Sequence, residues 1–561
     1  MERYICIHGH FYQPPRENPW LEAVETQGSA YPFHDWNARI SAECYAANAA
    51  SRILSGDGKI EAIVNNYSSI SYNFGPTLLM WLQTQDPETY ANILAADRAS
   101  QARFSGHGSA MAQVYNHIIM PLANTRDKYT QIRWGIRDFT SRFGRKPEGM
   151  WLAETAVDVP TLEALVDCGI TFTVLSPFQA SSVRAEGTDE WHDVAGGRID
   201  PTRAYRQTLP SGRTIALFFY DGPISKAIAF EDLLDSGERF ADRLASAFND
   251  GRDWPQIVHI ATDGETYGHH HKKGDMALAY ALKYIEDHGI AKVTNYGEYL
   301  EKCPPTHDVQ IIERTAWSCE HGVERWNSDC GCNGGGYPQW NQEWRFPLRV
   351  ALDWLRDTLA PLYETEASKL FADPWAVRDE YIEILLDRTP VLVSMFLAEW
   401  AGRDLTPAEE VTALELLEMQ RHALLMYTSC GWFFDELSGL ETVQVIEYAG
   451  RAVQLAKGWL GDVIEAQFAE RLAAARSNLP QYRDGGWIYK HWVQPPTISL
   501  QKVTAHYAMS DLFETYPDVT DIYCYGVARS EHQTLTAGKA RLVLGQANVA
   551  SHITHEADDF T

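Results

Sequence analysis

The sequence predicts an α/β fold in which a parallel-stranded barrel is followed by an α-helical domain and a C-terminal β segment. Over about the first 300 residues, short apolar runs alternate with amphipathic helical patterns, as in repeated strand–helix units. Apolar residues then recur at helical spacing, and short β-like runs return near the end. We therefore predict a barrel (1–305), a loop rich in Cys, Trp and Gly (306–345), a helical domain (346–485) and a β-rich segment (486–561).

Seven apolar runs are predicted to be strands, and that number of strand–helix units favours a barrel over an open sheet. The predicted strands are Tyr4–His8, Ala62–Asn65, Gly149–Leu152, Phe172–Leu175, Ile215–Phe219, Ile257–Ala261 and Lys292–Asn295. The helical patterns between them include Val159–Cys168, Phe230–Phe248 and Met276–Glu286. Chemistry in parallel barrels lies at the carboxyl ends of the strands, so polar side chains that follow a strand are the functional candidates.

The second half of the chain begins with an irregular segment, Trp317–Trp344, which is too aromatic for disorder and is therefore expected to be functional. Two capping boxes then predict helix starts, at Thr406–Glu409 with Pro407 in the first helical position and at Ser438–Glu441. The chain is predicted to become β-like from Gln494.

Charge and cysteine content limit the class of partner. Lys and Arg number 48 against 75 Asp and Glu, so the net charge of −27 argues against nucleic acid or an anionic membrane as the main partner. The start lacks a signal peptide, and no apolar run is long enough to span a bilayer. Nine cysteines, an odd number spread thinly, fit reduced thiols better than a disulfide framework, so we predict a cytoplasmic protein.

The first candidate segment is His8-Gly-His10-Phe-Tyr-Gln-Pro, directly after the first strand. Residues i and i+2 of a strand face the same side, so both imidazoles are expected at the mouth of the barrel. They could hydrogen-bond a polyhydroxylated ligand or bind a metal. A pair of buried histidines with ordinary hydrogen bonds is the structural alternative.

The second segment, Gly-Met-Trp151-Leu-Ala-Glu154, places a carboxylate after a short strand and beside a tryptophan. An apolar wall raises the pKa of a carboxyl group, whereas hydrogen bonds keep it ionised as a nucleophile. The alternative is a glutamate that interacts with the N-terminus of the next helix.

The third segment, Asp263-Gly-Glu265-Thr-Tyr267-Gly-His269, follows a buried strand, and its glycine permits close backbone approach. Asp263 and Glu265 share a face if the strand continues. The two histidines after His269 are expected to lie in a solvated loop.

Two further signals are weak by themselves. Ser-Gly-His107-Gly leads to Tyr-Asn-His117-Ile-Ile-Met-Pro, and Asp221 follows a predicted strand, where an ordinary turn aspartate before Gly222 is the alternative. Together, one Glu and one Asp at different strand ends, surrounded by His, Trp and Tyr, suit a retaining glycosidase, which needs a carboxylate nucleophile and a carboxylic acid donor.

These segments resemble the motifs of glycoside hydrolase family 57, in the family's order. The opening segment resembles its His-x-His-Gln-Pro motif with two residues inserted, and the Glu154 segment its Gly-x-Trp-x-Pro-Glu motif with Ala153 in place of Pro. The Asp263 segment is similar to Asp-x-Glu-x-Phe-Gly-His, and the His117 segment to Tyr-x-His-Pro-x-x-Pro. The chain as a whole is similar to a bacterial subgroup with an extra C-terminal domain, which predicts that residues 486–561 are an incomplete part of it.

The resemblance implies a (β/α)7 barrel and a retaining hydrolase or transglycosylase that acts on α-glucosidic bonds, with a carbohydrate as partner and no cofactor. Glu154 would be the nucleophile and Asp263 the general acid/base. The residues implied or predicted to bind substrate are His8, His10, His107, His117, Trp151, Asp221, Glu265, Tyr267, His269, Trp317, His321 and Trp432, the last from a loose match to a Trp-containing fifth motif.

One cluster lies outside the family pattern. Cys319-Glu-His321 and Cys330-Gly-Cys332 bring three thiols and an imidazole within 14 residues. Zinc sites favour such sets of four, although paired cysteines are usually two to four residues apart. The alternative is a loop that folds over the sugar site, with Trp317, His321 and Trp326 as substrate contacts.

Two other functions remain open. His8, His10 and Asp263 could hold a divalent metal, as in polysaccharide deacetylases or metal-dependent α-mannosidases, although those families open with carboxylate-bearing motifs. The chain could also be a catalytically silent carbohydrate-binding protein, an option that Ala153 leaves room for. Glycan, linkage and oligomeric state are not specified by the sequence.

Overall fold

The computed structural model describes every residue, Met1–Thr561, and divides into two compact units. The first unit consists of residues 1–15 and 26–325, and the second of residues 16–25 and 326–561. None of the helices combines the length and the apolar character that a membrane span requires.

Seven parallel strands form the centre of the first unit. They are β1 (Arg3–Phe11), β2 (Ser71–Phe74), β3 (Ala110–Gln113), β4 (Met150–Trp151), β5 (Phe172–Leu175), β6 (Thr214–Phe219) and β7 (Gln256–Asp263). Hydrogen bonding gives the order β7-β1-β2-β3-β4, a parallel bridge from Gly149 to Phe172 continues it to β5, and β5 pairs with β6. The Asp221 N–H donates to the His259 carbonyl at 2.8 Å and brings the end of β6 to β7. The (β/α)7 barrel predicted from the sequence is confirmed.

Ten helices accompany these strands. They are Trp36–Ile40, Ala46–Ala49, Pro76–Gln85, Pro87–Arg103, Thr125–Phe143, Val159–Asp167, Gly222–Phe230, Gly237–Ala245, Gly274–Asp287 and Tyr296–Lys302. The first and last of the three helices predicted from the sequence are confirmed to within two residues at each end. The single helix predicted at Phe230–Phe248 is wrong, because Glu231 is extended and the Ser236 side chain caps a new helix by accepting from the Arg239 N–H.

Two of the predicted strands, Ala62–Asn65 and Lys292–Asn295, overlap observed strands that are not among the seven of the barrel. Ile60–Val64 pairs with Ser51–Leu54 in a separate antiparallel hairpin, and Lys292–Val293 is a short parallel strand beside β1. The sequence missed β2 and β3, because Ser-Tyr-Asn-Phe and Ala-Met-Ala-Gln are four-residue stretches with polar side chains and no long apolar run. The remaining strands of the unit, Ala180–Ala185, His192–Asp193, Tyr205–Thr208 and His307–Ile311, extend the β5–β6 sheet.

Aromatic side chains fill the inside of the barrel. Tyr4, Trp151, Phe218 and Tyr296 belong to one buried cluster, and the partly buried Trp317 packs against it. Residues Tyr4 to Phe11 of β1 are all buried, as expected for a parallel strand covered on both faces.

The second unit combines helices with a small sheet. Its helices are Arg345–Ala367, Pro374–Glu380, Ile382–Leu386, Pro390–Ala401, Pro407–Leu425, Cys430–Phe433, Leu440–Leu460, Val463–Leu472, Gly485–Ile488 and Leu500–Ser510. The Thr406 capping box is confirmed, whereas the box predicted at Ser438 is wrong, because Gly439 precedes the helix and no side chain caps it.

The C-terminal sheet is a four-stranded antiparallel meander. Its strands are Val519–Ile522, Tyr525–Ala537, Ala540–Ser551 and Ala557–Phe560. The helix Leu500–Ser510 lies in the part that the sequence predicted to be β-like. Its residues Val503 and Tyr507 pack with Val527 and Val549 of the sheet into one buried cluster.

Candidate active site

His8 and His10 point to the same side of β1, as predicted. Both rings stack on Trp151, with centroids 4.7 and 5.0 Å from the indole. Both ring nitrogens of His8 have partners, the Ser71 hydroxyl at 3.0 Å and the Asn73 carbonyl oxygen at 3.1 Å. Hydrogen bonds inside the barrel thus occupy both ring nitrogens of His8.

Asn73, at the carboxyl end of β2, contacts both histidines. Its carbonyl oxygen lies 3.1 Å from His8 Nε2 and 3.3 Å from His10 Nδ1, while its amide nitrogen lies 2.9 Å from His10 Nδ1 and donates to the Gln113 side chain at 2.7 Å. His10 Nε2 faces His117 Nε2 at 3.1 Å, so one of these two nitrogens carries the proton that joins them. Burial lowers the pKa of His8 and of His10 to about 3, so both rings are neutral hydrogen-bonding groups.

His117 completes this row of rings. It stacks on His10 with centroids 5.1 Å apart and on Tyr12 at 3.7 Å. Burial, with the nearby His10 as a smaller contribution, lowers its pKa well below the ordinary value. Its backbone φ is +54°, a left-handed conformation that costs a non-glycine residue energy and is often found at functional sites.

Glu154 follows β4 in the same strained conformation, with φ of +57° and ψ of 22°. Its carboxylate accepts hydrogen bonds from the Trp317 indole N–H at 2.9 Å and from the Ser318 hydroxyl at 2.5 Å. Burial raises the pKa of Glu154, and these two donors together with the charge of Arg325 oppose that shift. The donors thus stabilise the ionised form that a nucleophile needs.

Trp317 and Tyr220 form the wall beside this carboxylate. The Trp317 ring meets Trp151, His10 and Tyr220 edge-on at centroid distances of 5.2, 6.3 and 6.2 Å. Burial raises the pKa of Tyr220 to about 12, and the charges of Asp263 and Glu154 both add to that shift. Tyr220 therefore lies within electrostatic reach of both carboxylates.

Asp263 is the last residue of β7, and its side chain is exposed at the strand end. Enough protein surrounds the carboxyl group that desolvation raises its pKa well above the ordinary value, and the charges of Glu265 and Glu154 raise it further. The following residue is Gly264 because the Phe11 ring occupies the space of a side chain, 2.2 Å from where a Cβ would lie. Asp263 is thus set up to keep its proton.

The predicted site residues that follow Asp263 in the chain have partners within the protein or are buried. Buried Glu265 accepts from the Tyr45 hydroxyl at 2.5 Å and the Tyr12 N–H at 3.1 Å, and burial raises its pKa to about 7 against the effect of these donors. Tyr267 is buried, and His269 bonds Glu43.

Three predicted substrate contacts have other partners. His107 lies before β3, at the amino ends of the strands, and bonds Glu148 at 2.8 Å and Glu301 at 2.9 Å. Asp221 caps the helix Gly222–Phe230 by accepting from the Ile224 N–H at 2.9 Å. In the second unit, Trp432 is fully buried, and its indole N–H donates to the Arg345 carbonyl at 3.2 Å.

The three thiols and the imidazole of the predicted cluster lie close together in the structure. One ligand atom from each of Cys319, His321, Cys330 and Cys332 lies within 4.8 Å of every other. His321, which the sequence predicted as a substrate contact or a metal ligand, therefore lies among these three cysteines.

The sequence did not predict Asn73, Gln113, Tyr220 or Ser318 as site residues. The first two lie on the strands that the sequence did not predict. Asn73 is far from His10 in the sequence and comes to lie beside it through the parallel pairing of β1 and β2. Ser318 is adjacent to Trp317, so its place beside a predicted site residue was the one available signal. Two polar atoms here, Trp151 Nε1 and Gln113 Nε2, are buried without a hydrogen-bond partner in the protein.

Comparison with known proteins identifies the barrel. Residues 41–311 match the model of glycosyl hydrolase family 57, and residues 340–561 match a domain of unknown function, DUF3536. The barrel region belongs to glycosyl hydrolase family 57. The family 57 region includes both Glu154 and Asp263.

Two known proteins are similar to this chain. Alpha-amylase 1 of Dictyoglomus thermophilum is 25% identical over 199 residues, which are 36% of this chain and 26% of that protein. The chain thus matches about a quarter of the length of this curated relative. A novel exo-type maltose-forming amylase of Pyrococcus sp. ST04 has a similar fold, with a TM-score of 0.66 at 16% identity over 91% of this chain and 95% of that one.

Proposed function

We propose that this chain is a retaining glycoside hydrolase or transglycosylase that acts on α-glucosidic bonds of α-glucans. The observation that carries the proposal is the pair of carboxyl groups at the ends of β4 and β7. Glu154 is held by two donors that favour its charge, whereas desolvation and neighbouring charges keep the proton on Asp263. Opposite protonation states in one pair of carboxyl groups are what double displacement requires.

In the first step, a Glu154 oxygen attacks the anomeric carbon while Asp263 gives its proton to the glycosidic oxygen. The bond between the anomeric carbon and that oxygen breaks, and its electron pair leaves with the oxygen. In the second step, Asp263 takes a proton from water or a sugar hydroxyl, whose oxygen attacks the anomeric carbon and releases Glu154. The anomeric configuration is inverted twice and is therefore retained.

The groups nearest Glu154 define the proposed sugar site. Trp317 and Tyr220 present aromatic faces, and neutral His10 and His117 offer hydrogen bonds to hydroxyl groups without adding charge. The proposal gives no substrate contact to His107 or Trp432. The negative charge of the chain and its scattered cysteines support a cytoplasmic location as part of the same proposal.

Product analysis on malto-oligosaccharides tests the proposal. Short sugars with the α configuration at the new reducing end indicate a hydrolase, a ladder of longer and shorter oligomers a glucanotransferase, and new branch points a branching enzyme. Any of these with retained configuration supports the proposal. Binding without turnover, or turnover with inverted configuration, contradicts it.

A further inference from the structure

We propose that Cys319, His321, Cys330 and Cys332 bind one structural Zn²⁺ ion. The four residues lie within 14 consecutive positions, and their ligand atoms are already within 4.8 Å of one another. A tetrahedral zinc ion with Zn–S distances of 2.3 Å holds neighbouring sulfurs about 3.8 Å apart. Closing the group around an ion therefore requires only small movements.

The types of ligand select the metal. Three thiols and one imidazole are soft or borderline ligands, and the group contains no carboxylate, which excludes a site built for Mg²⁺ or Ca²⁺. Binding would release the protons of the three thiols and leave a complex with a net charge of −1. Four protein ligands fill the tetrahedron and leave no position for water, so the site is structural and takes no part in the reaction.

Glycine makes the tight Cys-x-Cys spacing possible. Gly331 has a φ of +80°, a left-handed conformation that residues with side chains rarely adopt, and it turns the chain between Cys330 and Cys332. The carbonyl of Cys332 is held by Arg345, whose guanidinium donates to it at 2.9 Å. A hydrogen bond from Arg345 thus stabilises the turn that brings these two thiols together.

The surrounding chain explains why a metal is useful. Between Trp317 and Trp344 the only regular element is the short 3₁₀ turn Glu324–Trp326. A segment without helix or strand gains order from a metal clip, because the ligands are fixed relative to one another. Cys319 directly follows Trp317 and Ser318, the two side chains that donate to Glu154. One further step rests on the proposed function: the ion holds Trp317 and Ser318 in place to donate to Glu154.

The experiment measures metal in the full-length chain, purified without a polyhistidine tag. We expect one zinc per chain by elemental mass spectrometry, and release of that zinc when a mercurial reagent titrates the thiols. Co²⁺ in place of Zn²⁺ should give thiolate charge-transfer bands and the visible spectrum of a tetrahedral complex. These measurements on the unmodified sequence need neither activity nor a folded variant.

Matched variants locate the ion. Cys330→Ser and Cys332→Ser should lower the affinity for zinc by at least about tenfold, because loss of a ligand costs no less than loss of an outer-shell partner. Cys303→Ser, the same change at a partly buried cysteine outside the group, should leave it unchanged. Zinc retained by both site variants overturns the proposal. So does a wild-type chain that takes up neither Zn²⁺ nor Co²⁺, or a disulfide within residues 319–332 seen as a loss of two hydrogens.

Positioning of the donors has a separate readout. If the ion acts through Trp317 and Ser318, Cys332→Ser should lower kcat and move the acid limb of the pH profile upward, because Glu154 loses donors that favour its charge. An unchanged pH profile in a zinc-free variant contradicts the positioning role and leaves the metal result intact. A wild-type chain that binds zinc and has no turnover contradicts the proposed function alone.

Discussion

Trp317 binds Glu154 twice: its backbone N–H donates to the Glu154 carbonyl oxygen at 3.0 Å, and its indole N–H donates to the carboxylate at 2.9 Å. The backbone hydrogen bond connects the chain at Trp317 to the turn that follows β4. The indole bond acts on the charge of the carboxylate. Because one bond belongs to the main chain and the other to the side chain, a substitution can remove the second and keep the first.

Trp317→Phe removes the indole donor and keeps an aromatic ring. A hydrogen bond to a charged group contributes about 1.5–3 kcal/mol, so kcat/KM should fall roughly 10- to 150-fold. The pKa of Glu154 should rise, and because the reaction needs ionised Glu154, the acid limb should move to higher pH. A pH profile of kcat/KM measures both effects. Trp191→Phe, at a partly buried indole elsewhere in the barrel unit, is the control, and an unmoved acid limb contradicts the role of the indole.

Glu154→Gly and Glu154→Gln should lose activity by a factor on the order of 10³–10⁶. Glycine accepts φ of +57° without strain, so Glu154→Gly should unfold close to the wild-type temperature. Azide should restore turnover of an activated aryl α-glucoside in Glu154→Gly and yield a β-glucosyl azide. Wild-type turnover in Glu154→Gln, or an α-glucosyl azide, contradicts the nucleophile assignment.

Asp263→Asn should distinguish leaving groups. Natural glucans need a proton on the departing oxygen, whereas a nitrophenolate leaves without one, so activity on glucans should fall far more than formation of the glycosyl-enzyme from an aryl glucoside. In the wild type, activity should fall as pH rises through the raised pKa of Asp263, and that limb should be absent in the variant. Asp235→Asn, at an exposed aspartate, is the control. Equal losses on both substrates exclude a proton-donor role.

Glu265 should make the fold less stable as pH rises. Its pKa in the folded chain is about 7 against 4.5 ordinarily, so the folded state holds a proton that the unfolded state releases between those values. The stabilisation from the protonated form is complete below about pH 4.5 and is lost as pH rises through about 7, at most about 3 kcal/mol.

Glu265→Gln should remove that pH dependence, because the amide keeps an acceptor for Tyr45 and does not titrate. Denaturation midpoints of wild type and variant, followed across this pH range, provide the measurement. Glu61→Gln, at an exposed glutamate, should follow the wild type. Parallel curves for wild type and Glu265→Gln show that Glu265 does not titrate there.

Local sequence pattern predicted those features of the fold and the site that depend on regular secondary structure. Phe172–Leu175 was predicted with its observed bounds, and the side chains of His8 and His10 were predicted on one face, because both features depend on strand periodicity alone. Asn73 could not be predicted as a site residue, since β2 is short, partly polar and defined by its pairing with β1. Likewise, the motif identified Glu154 but gave no information on the donors that act on its charge.

The sequence by itself determined the class of fold, because that follows from periodicity. It also predicted Glu154 and Asp263 as the two carboxyl groups of the proposed site, from motifs of residues close together in the chain. The tertiary structure alone decided which partners surround each histidine, which donors oppose the burial of Glu154, and how close the four candidate ligands in residues 319–332 lie to one another. Each of these depends on distances between segments that are far apart in sequence or lie in irregular chain. Such distances are set by packing, which no local pattern encodes.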